Sequence, residues 1–451
     1  MQKKKMGLTT KVLIGMGLGI VVGLTLNVVG VAKGEMLHTY VVQGLFGMVG
    51  TMFVNALKML VVPLVFLSLI TGVLGIGDIR VLGKVGGKSF ALYMLTTAMA
   101  IALGIGLAAL VGIGEGIEMS SEVAFSAKEA PALSSVLIGI IPSNIIEAMA
   151  QGKMLQIIFF SILTGISILM VGKKAQPLIE LIEIANEVMM KMVNIVMSVA
   201  PYAVFALLAK ALASLGLGLL FDLAGYVVVL VVALLLHLFV TLMGTLKLFS
   251  GMSPQIFLAK MREAQIFAFS TSSSNATIPV TLRTVTQKLG VDNSVASFSV
   301  PFGATINMDG TAIMQGVATV FIANAYGVEL GISGYLTVIL MSVLASIGTA
   351  GVPGVGLIML SMVFTQVGLP VEGIGLILGV DRLLDMVRTA VNVSGDAAVS
   401  VIVAKSEGKL NREVFLDPQA GMLTQESIHL SIEEEQAIAK EVQTLQAKKR
   451  V

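Results

Sequence analysis

The feature that most constrains this chain is a succession of apolar runs, at about 10–31, 42–75, 88–113, 135–171, 180–215 and 220–249. About 20 predominantly apolar residues in helical form cross a bilayer core, and each run reaches that length. In lipid every backbone N–H and C=O needs a partner inside the protein, so such runs fold as helices. The chain therefore reads as an all-α polytopic membrane protein. Composition agrees, because 56% of the 451 residues are hydrophobic and 12% are charged, whereas about a quarter of a soluble domain is charged. The 48 glycines and 27 methionines suit close helix approach and soft packing in lipid.

Charge and residue types exclude several functions. Lys3, Lys4 and Lys5 precede the first run, which is too long for a signal-peptide core and lacks a clear small-residue cleavage site; it reads as the first span. A formal charge of +2 gives no nucleic-acid signal, and the absence of cysteine excludes disulfides, thiolate metal sites and cysteine nucleophiles. His38, His237 and His429 have no metal-ligand spacing, and His237, within an apolar run, reads as a packed or interhelically hydrogen-bonded side chain. No nucleophile and base share a recognisable spacing, and Ser272 to Ser274 have no histidine or lysine nearby, which argues against an enzyme. The basic N-terminus, Lys173 with Lys174, and the Lys405 to Lys409 region are expected on the cytoplasmic side. All three placements agree only if some apolar segments after Lys173 do not cross.

From about Pro254 the pattern changes, because serine, threonine, glycine and ionisable residues enter stretches that should lie at membrane depth. Phe269 to Pro279 reads FSTSSSNATIP, and Ala345 to Gly356 reads ASIGTAGVPGVG. Each polar tip is followed by a helix bearing a polar cluster: NMDGT at Asn307 to Thr311, then DRLLDMVRTAVNVSGD at Asp381 to Asp396. Non-helical backbone at membrane depth must be buried in protein or line a watery cavity. Paired interrupted segments in two halves point to a transporter's midplane binding site.

The second cluster carries the chemistry. Asp381, Asp385, Arg388, Thr389, Asn392 and Asp396 fall at helical offsets that share one stripe of roughly 100°, opposite Leu383, Val387, Val391 and Val401. Ionisable groups inside a span mark function by default. If the two polar helices meet, Asp309, Asp385 and Asp396 are set against Arg388 alone. An acidic amino acid fits that set, with its ammonium on Asp385, its side-chain carboxylate held bidentately by Arg388, and its α-carboxylate on amides and hydroxyls near Ser273 and Ser274. Asp309 and Asp396, with Asn307, Asn392 and backbone carbonyls, supply hard oxygen ligands for a small cation. Bound cations would offset the buried carboxylates and so favour the anionic substrate, reciprocally. A structural Asp385–Arg388 ion pair, a chloride channel and a non-transporting sensor are the competing readings.

At these residues the chain resembles the dicarboxylate/amino acid:cation symporter family, which includes the excitatory amino acid transporters and the archaeal sodium/aspartate transporters. NMDGT, SIGTAGVPG and DRLLDMVRTAVNVSGD carry the resemblance, which extends to about Lys409. It implies eight transmembrane helices plus two re-entrant helical hairpins, about 254–288 and 331–368, with inverted repeats, homotrimers in the plasma membrane (the inner membrane of a bacterium) and elevator movement. Residues 1–86 (helices 1 and 2) and 116–217 (helices 4 and 5) would form a scaffold. The transport domain would comprise 87–115 (helix 3) and 218–408, with 409–451 a cytoplasmic tail.

The resemblance also implies site residues. Substrate would contact Ser274, Thr311, Val352 to Gly356, Asp385, Arg388, Thr389 and Asn392. One sodium would take Asp396 with carbonyls of Gly303, Asn307 and Asn392; a second would lie between Thr305, Met308 and the backbone of Ser346, Ile347 and Thr349. A third would use Tyr93, Thr96, Thr97, Asn307 and Asp309. Ser272 and Met386 stand where archaeal and mammalian relatives respectively carry an arginine, and Gln315 stands where proton- and potassium-coupled transporters have glutamate. The function implied is sodium-coupled import of L-glutamate or L-aspartate without potassium countertransport. The alternatives are a C4-dicarboxylate or neutral amino acid symporter, possibly proton-coupled.

Overall fold

The structure is a computed structural model and describes residues 8–29, 36–74, 82–117, 140–347, 349, 351 and 353–421. Val352 and most of the 409–451 tail lie outside the described residues. Regular structure among them is helical, apart from one isolated bridge between Val291 and Leu410. Among the described residues, five helical stretches are long and apolar enough to cross a membrane: Thr10–Val28, His38–Leu74, Lys84–Val111, Gln156–Ser198 and Gly218–Ser250.

The first helices are α1 (Leu8–Val28), α2 (Gly47–Leu74) and α3 (Gly87–Val111). Two of the sequence's apolar runs are interrupted by non-helical residues. The 135–171 run is divided, over its described part, into α4 (Ile145–Ala150) and α5 (Met154–Val171), separated by a turn in which Gly152 has φ 64°. Asn144 starts α4 by accepting from the Ile146 and Glu147 amides, which meets donors that a helix start leaves open. The 180–215 run is cut into α6 (Gln176–Ser198) and α7 (Ala200–Leu215). The cut falls at Pro201, near the start of α7, where a residue without an N–H is tolerated.

Helices α1 and α7 pack along one another because Gly15, Gly19 and Gly23 recur every fourth residue. A Cβ on Gly19 would lie 2.8 Å from the Phe205 carbonyl oxygen, and one on Gly23 would lie 2.7 Å from Leu212 Cβ. Gly17, off this face, has nothing within 4 Å. Small residues spaced by four let helix backbones approach in lipid, where apolar burial alone gives no driving force. Helix α2 packs on α5, α6 and α7.

The remaining helices assemble mainly with one another. They are α8 (Gly218–Leu236), α9 (Met243–Ser250), α10 (Pro254–Thr271), α11 (Ser274–Arg283), α12 (Asn293–Ile306), α13 (Asp309–Ala325), α14 (Gly331–Ile347), α15 (Val355–Val367), α16 (Ile374–Ser406) and α17 (Arg412–Leu416). Helix α3 lies along α13, and the 33-residue α16 packs on α10, α12 and α13.

Both polar tips turn the chain between paired helices. The first turns at Ser272, in the left-handed region at φ 50°, which is uncommon for a residue with a Cβ. Ser273 then starts α11 by accepting from the Ala276 amide. The second separates α14 from α15, which begins after Gly354 at φ 87°. The tips touch: the Ser273 hydroxyl donates to the Gly351 carbonyl at 2.6 Å, and the Asn275 amide donates to the same oxygen at 3.2 Å. The NMDGT cluster interrupts its helix. Asn307 is extended at φ −92°, ψ 91°, Met308 follows at φ −115°, ψ 48°, and α13 restarts at Asp309.

Candidate substrate and cation site

The polar stripe of α16 is buried from Asp381 to Asp396, and Arg388 is 1% exposed. On the other side Leu383 is 45% exposed, while Val391 and Val401 pack inside. Arg388 uses both terminal nitrogens on its own helix: Nη1 donates to Asp381 Oδ1, and Nη2 donates to Asp385 Oδ1 at 2.8 Å. Its Nε has no hydrogen-bond partner among the described residues, and neither has Asp385 Oδ2, although Arg382 Nη1 is 3.6 Å from the latter. Arg388 and Arg382 thus set two guanidiniums against Asp381 and Asp385, a buried cluster in which each charge depends on its partners.

Around this pair the structure gathers other expected substrate residues. A Cβ on Gly356 would lie 3.1 Å from Thr311 Cγ2 and 3.7 Å from Arg388 Nη2, so α13, α15 and α16 converge there. Thr389 donates to the Asp385 carbonyl. Asn392 Oδ1 accepts from the Gly310 amide at 2.7 Å, and its Nδ2 donates to Met308 Sδ at 3.4 Å, which ties the broken helix to α16. Ser273 and Ser274 are buried at the first tip, where Ser273 is engaged with Gly351 rather than with the stripe.

The oxygen-rich groups fall beside the break. Asn307 Nδ2 donates to Asp396 Oδ1 at 2.9 Å and to the Asn392 carbonyl at 3.3 Å. Asn307 Oδ1 is buried with no partner among the described residues, the kind of orphaned acceptor that a cation satisfies. Gly303 has no alternative here, because a Cβ would lie 2.5 Å from Asp396 Oδ1 and 2.7 Å from the Tyr93 hydroxyl oxygen. Tyr93 donates to the Ser299 carbonyl at 2.9 Å. Asp309 Oδ1 accepts from Thr97 at 2.6 Å and from Thr96 at 3.4 Å. The hydroxyls of Thr305, Ser346 and Thr349 bond to carbonyls of Phe302, Val343 and Ala345. A Cβ on Gly351 would lie 2.8 Å from the Ala304 carbonyl oxygen, so the second tip rests against the end of α12. These hard, mostly neutral oxygens suit an alkali cation.

A family model described as the sodium:dicarboxylate symporter family matches residues 8–406. The chain belongs to that family. Similar proteins include a proton/sodium-glutamate symport protein of Geobacillus stearothermophilus, 34% identical over 419 residues, 91% of this chain and 97% of the relative. A proton/glutamate-aspartate symporter of Escherichia coli (strain K12) is 35% identical over 428 residues, 92% and 96% of the two chains. A C4-dicarboxylate transport protein of Bacillus subtilis (strain 168) is 31% identical over 423 residues, 92% and 97%. This sodium:dicarboxylate symporter family member is therefore a multi-pass membrane transporter and not an enzyme. Its family and relatives make it a symporter of the dicarboxylate and amino acid class, coupled to a cation.

For two residues of the site the structure supplies the partner. Asp381, on the stripe, lies two helical turns from Arg388 and pairs with it. His237, expected to be packed or interhelically hydrogen-bonded, makes such a bond: its Nε2 lies 3.0 Å from Asp309 Oδ2. No spacing could have signalled that contact, because 72 residues separate the two.

Proposed function

We propose that this symporter imports acidic amino acids, L-glutamate or L-aspartate, with sodium as the coupling ion. The observation that carries the reading is the Asp381–Arg388–Asp385 cluster. A substrate ammonium on Asp385 takes over part of that carboxylate's pairing and releases part of Arg388 for the substrate's side-chain carboxylate. A C4-dicarboxylate brings two negative charges and no ammonium to the same cluster, so it fits less well. The α-carboxylate is received at Ser274 and the first tip, with Thr311, Gly356, Thr389 and Asn392 completing the pocket.

Sodium ions offset the carboxylates that have no arginine. The first is assigned to Asp396 with carbonyls of Gly303, Asn307 and Asn392, and the orphaned Asn307 oxygen supports that assignment. The second is assigned to Thr305, Met308, Ser346, Ile347 and Thr349, and the third to Tyr93, Thr96, Thr97, Asn307 and Asp309. Gln315 carries no titrating proton, which favours sodium without potassium countertransport. In this reading α10–α11 and α14–α15 are re-entrant hairpins among eight spans. Residues 1–86 and 116–217 form the trimeric scaffold against which 87–115 and 218–408 move as an elevator. The way the two groups of helices pack among themselves supports this division.

The test is uptake of radiolabelled aspartate and glutamate into proteoliposomes, with sodium, proton and potassium gradients varied independently. Uptake driven by an inward sodium gradient and competed weakly by succinate is expected. Uptake driven by protons alone, or succinate competing as well as aspartate, overturns the reading.

A further inference from the structure

His237 stands apart from the rest of the site because it comes from neither polar-cluster helix nor from α3. Helix α8 is regular up to Leu236, then passes through a π-helical turn, His237–Leu242, before α9. Such a turn adds a residue to the hydrogen-bonded ring, re-aims the side chains around it and is frequent at functional positions. Here its first residue is fully buried and its Nε2 lies 3.0 Å from Oδ2 of Asp309, which is also fully buried. A carboxylate oxygen in this bond accepts, so Nε2 carries the hydrogen. Nδ1 has no partner among the described residues; burying a polar ring this far is unfavourable unless the bond it does make is strong.

The division of labour on Asp309 is specific. Oδ2 takes the imidazole from the α8 side, while Oδ1 takes the hydroxyls of Thr97 and Thr96 from α3. We propose that His237 is a positioning residue for the cation held at Asp309. By fixing Oδ2 it sets the plane of the carboxylate, so that Oδ1 and the threonine hydroxyls face the space between α3 and α13, and it thereby sets sodium affinity there. The inference rests on the sodium reading above. Outer hydrogen-bond partners of metal-ligating groups typically change metal affinity by about 10- to 100-fold, whereas a histidine that only fills space has no such effect.

The experiment uses the full-length transporter in proteoliposomes with two variants. His237→Gln keeps an N–H donor at the reach of Nε2, and His237→Leu fills the space without one. The half-saturating sodium concentration is measured at saturating aspartate, and the aspartate KM is measured at saturating sodium. His237→Leu is expected to raise half-saturating sodium about tenfold or more, with aspartate KM changed by less than about twofold, while His237→Gln stays near the wild-type value. An unshifted leucine variant, or leucine and glutamine variants shifted alike, overturns the inference. If the leucine variant does not reach the membrane, His237→Asn, whose shorter amide withdraws the donor, replaces it in the same comparison. Wild-type uptake indifferent to sodium removes both the sodium reading and this inference; a sodium-dependent wild type with an unshifted leucine variant removes only the inference.

Discussion

Arg388 is buried with its two terminal nitrogens already engaged, by Asp381 and Asp385. Replacing it therefore does two things. Arg388→Cys removes the group assigned to the substrate's acidic side chain, a loss of about 2–5 kcal/mol for a buried hydrogen-bonded charge pair. It also takes Arg388 from buried Asp381 and leaves Asp385 with Arg382 alone, so some loss of stability accompanies it. Aspartate uptake is expected to fall by at least about 30-fold, with binding of neutral amino acids much less affected; competition assays in proteoliposomes check this, and an unchanged preference removes Arg388 from its role. Asp381→Asn deletes one negative charge while keeping a hydrogen-bonding oxygen beside Arg388. The cluster then repels a dicarboxylate less, and succinate is expected to compete about tenfold better relative to aspartate, a change of about 1.4 kcal/mol. The ratio of the two inhibition constants measures it.

Among the elements, the contact of α1 with α7 is decided by which side of α1 carries glycine. Gly19 and Gly23 face backbone and Cβ atoms of α7 closer than a methyl group allows, whereas Gly17 faces open space. Gly23→Leu is expected to destabilise the protein by about 1–3 kcal/mol through overpacking, and Gly17→Leu is expected to be neutral. Thermal unfolding of the purified protein in detergent distinguishes them, and equal melting temperatures would show that α1 does not depend on this seam. The tips depend on a different device. Ser273 both starts α11 and donates to Gly351, so Ser273→Ala removes the start of one helix and the bond between hairpins together. Loss of a helix-start side chain alone is worth about 1 kcal/mol.

At the scale of the whole molecule, α2 is the helix of the first group that reaches across to α15 and the segment before α16. Lys58 on α2 lies 3.0 Å from Glu372, and both side chains are substantially exposed. Such a pair contributes little to stability, about 0–1 kcal/mol, so its interest is its place between two groups of helices that the elevator reading requires to slide. Lys58→Cys with Glu372→Cys, joined by a bifunctional maleimide, is expected to abolish uptake. The single-cysteine variants treated alike are expected to keep it. Full uptake after cross-linking would show that these two groups do not move apart during transport.

Residue order alone determined the class of solvent, because runs of about 20 apolar residues have one stable fate in lipid, and it determined which side chains share the face of α16, because helical periodicity is a local property. It also marked both tips, since serine, glycine and proline within apolar arms interrupt helices wherever they fall. It misjudged the runs at 135–171 and 180–215, where a cap at Asn144 and the restart at Pro201 break an otherwise uniform apolar pattern. Which helices meet was decided by tertiary structure alone. The Asp309–His237 bond, the junction of Ser273 with Gly351 and the seat of Asp396 against Gly303 each join residues at least 72 positions apart. Contacts of that kind arise from the joint packing of many helices, and no local periodicity encodes them.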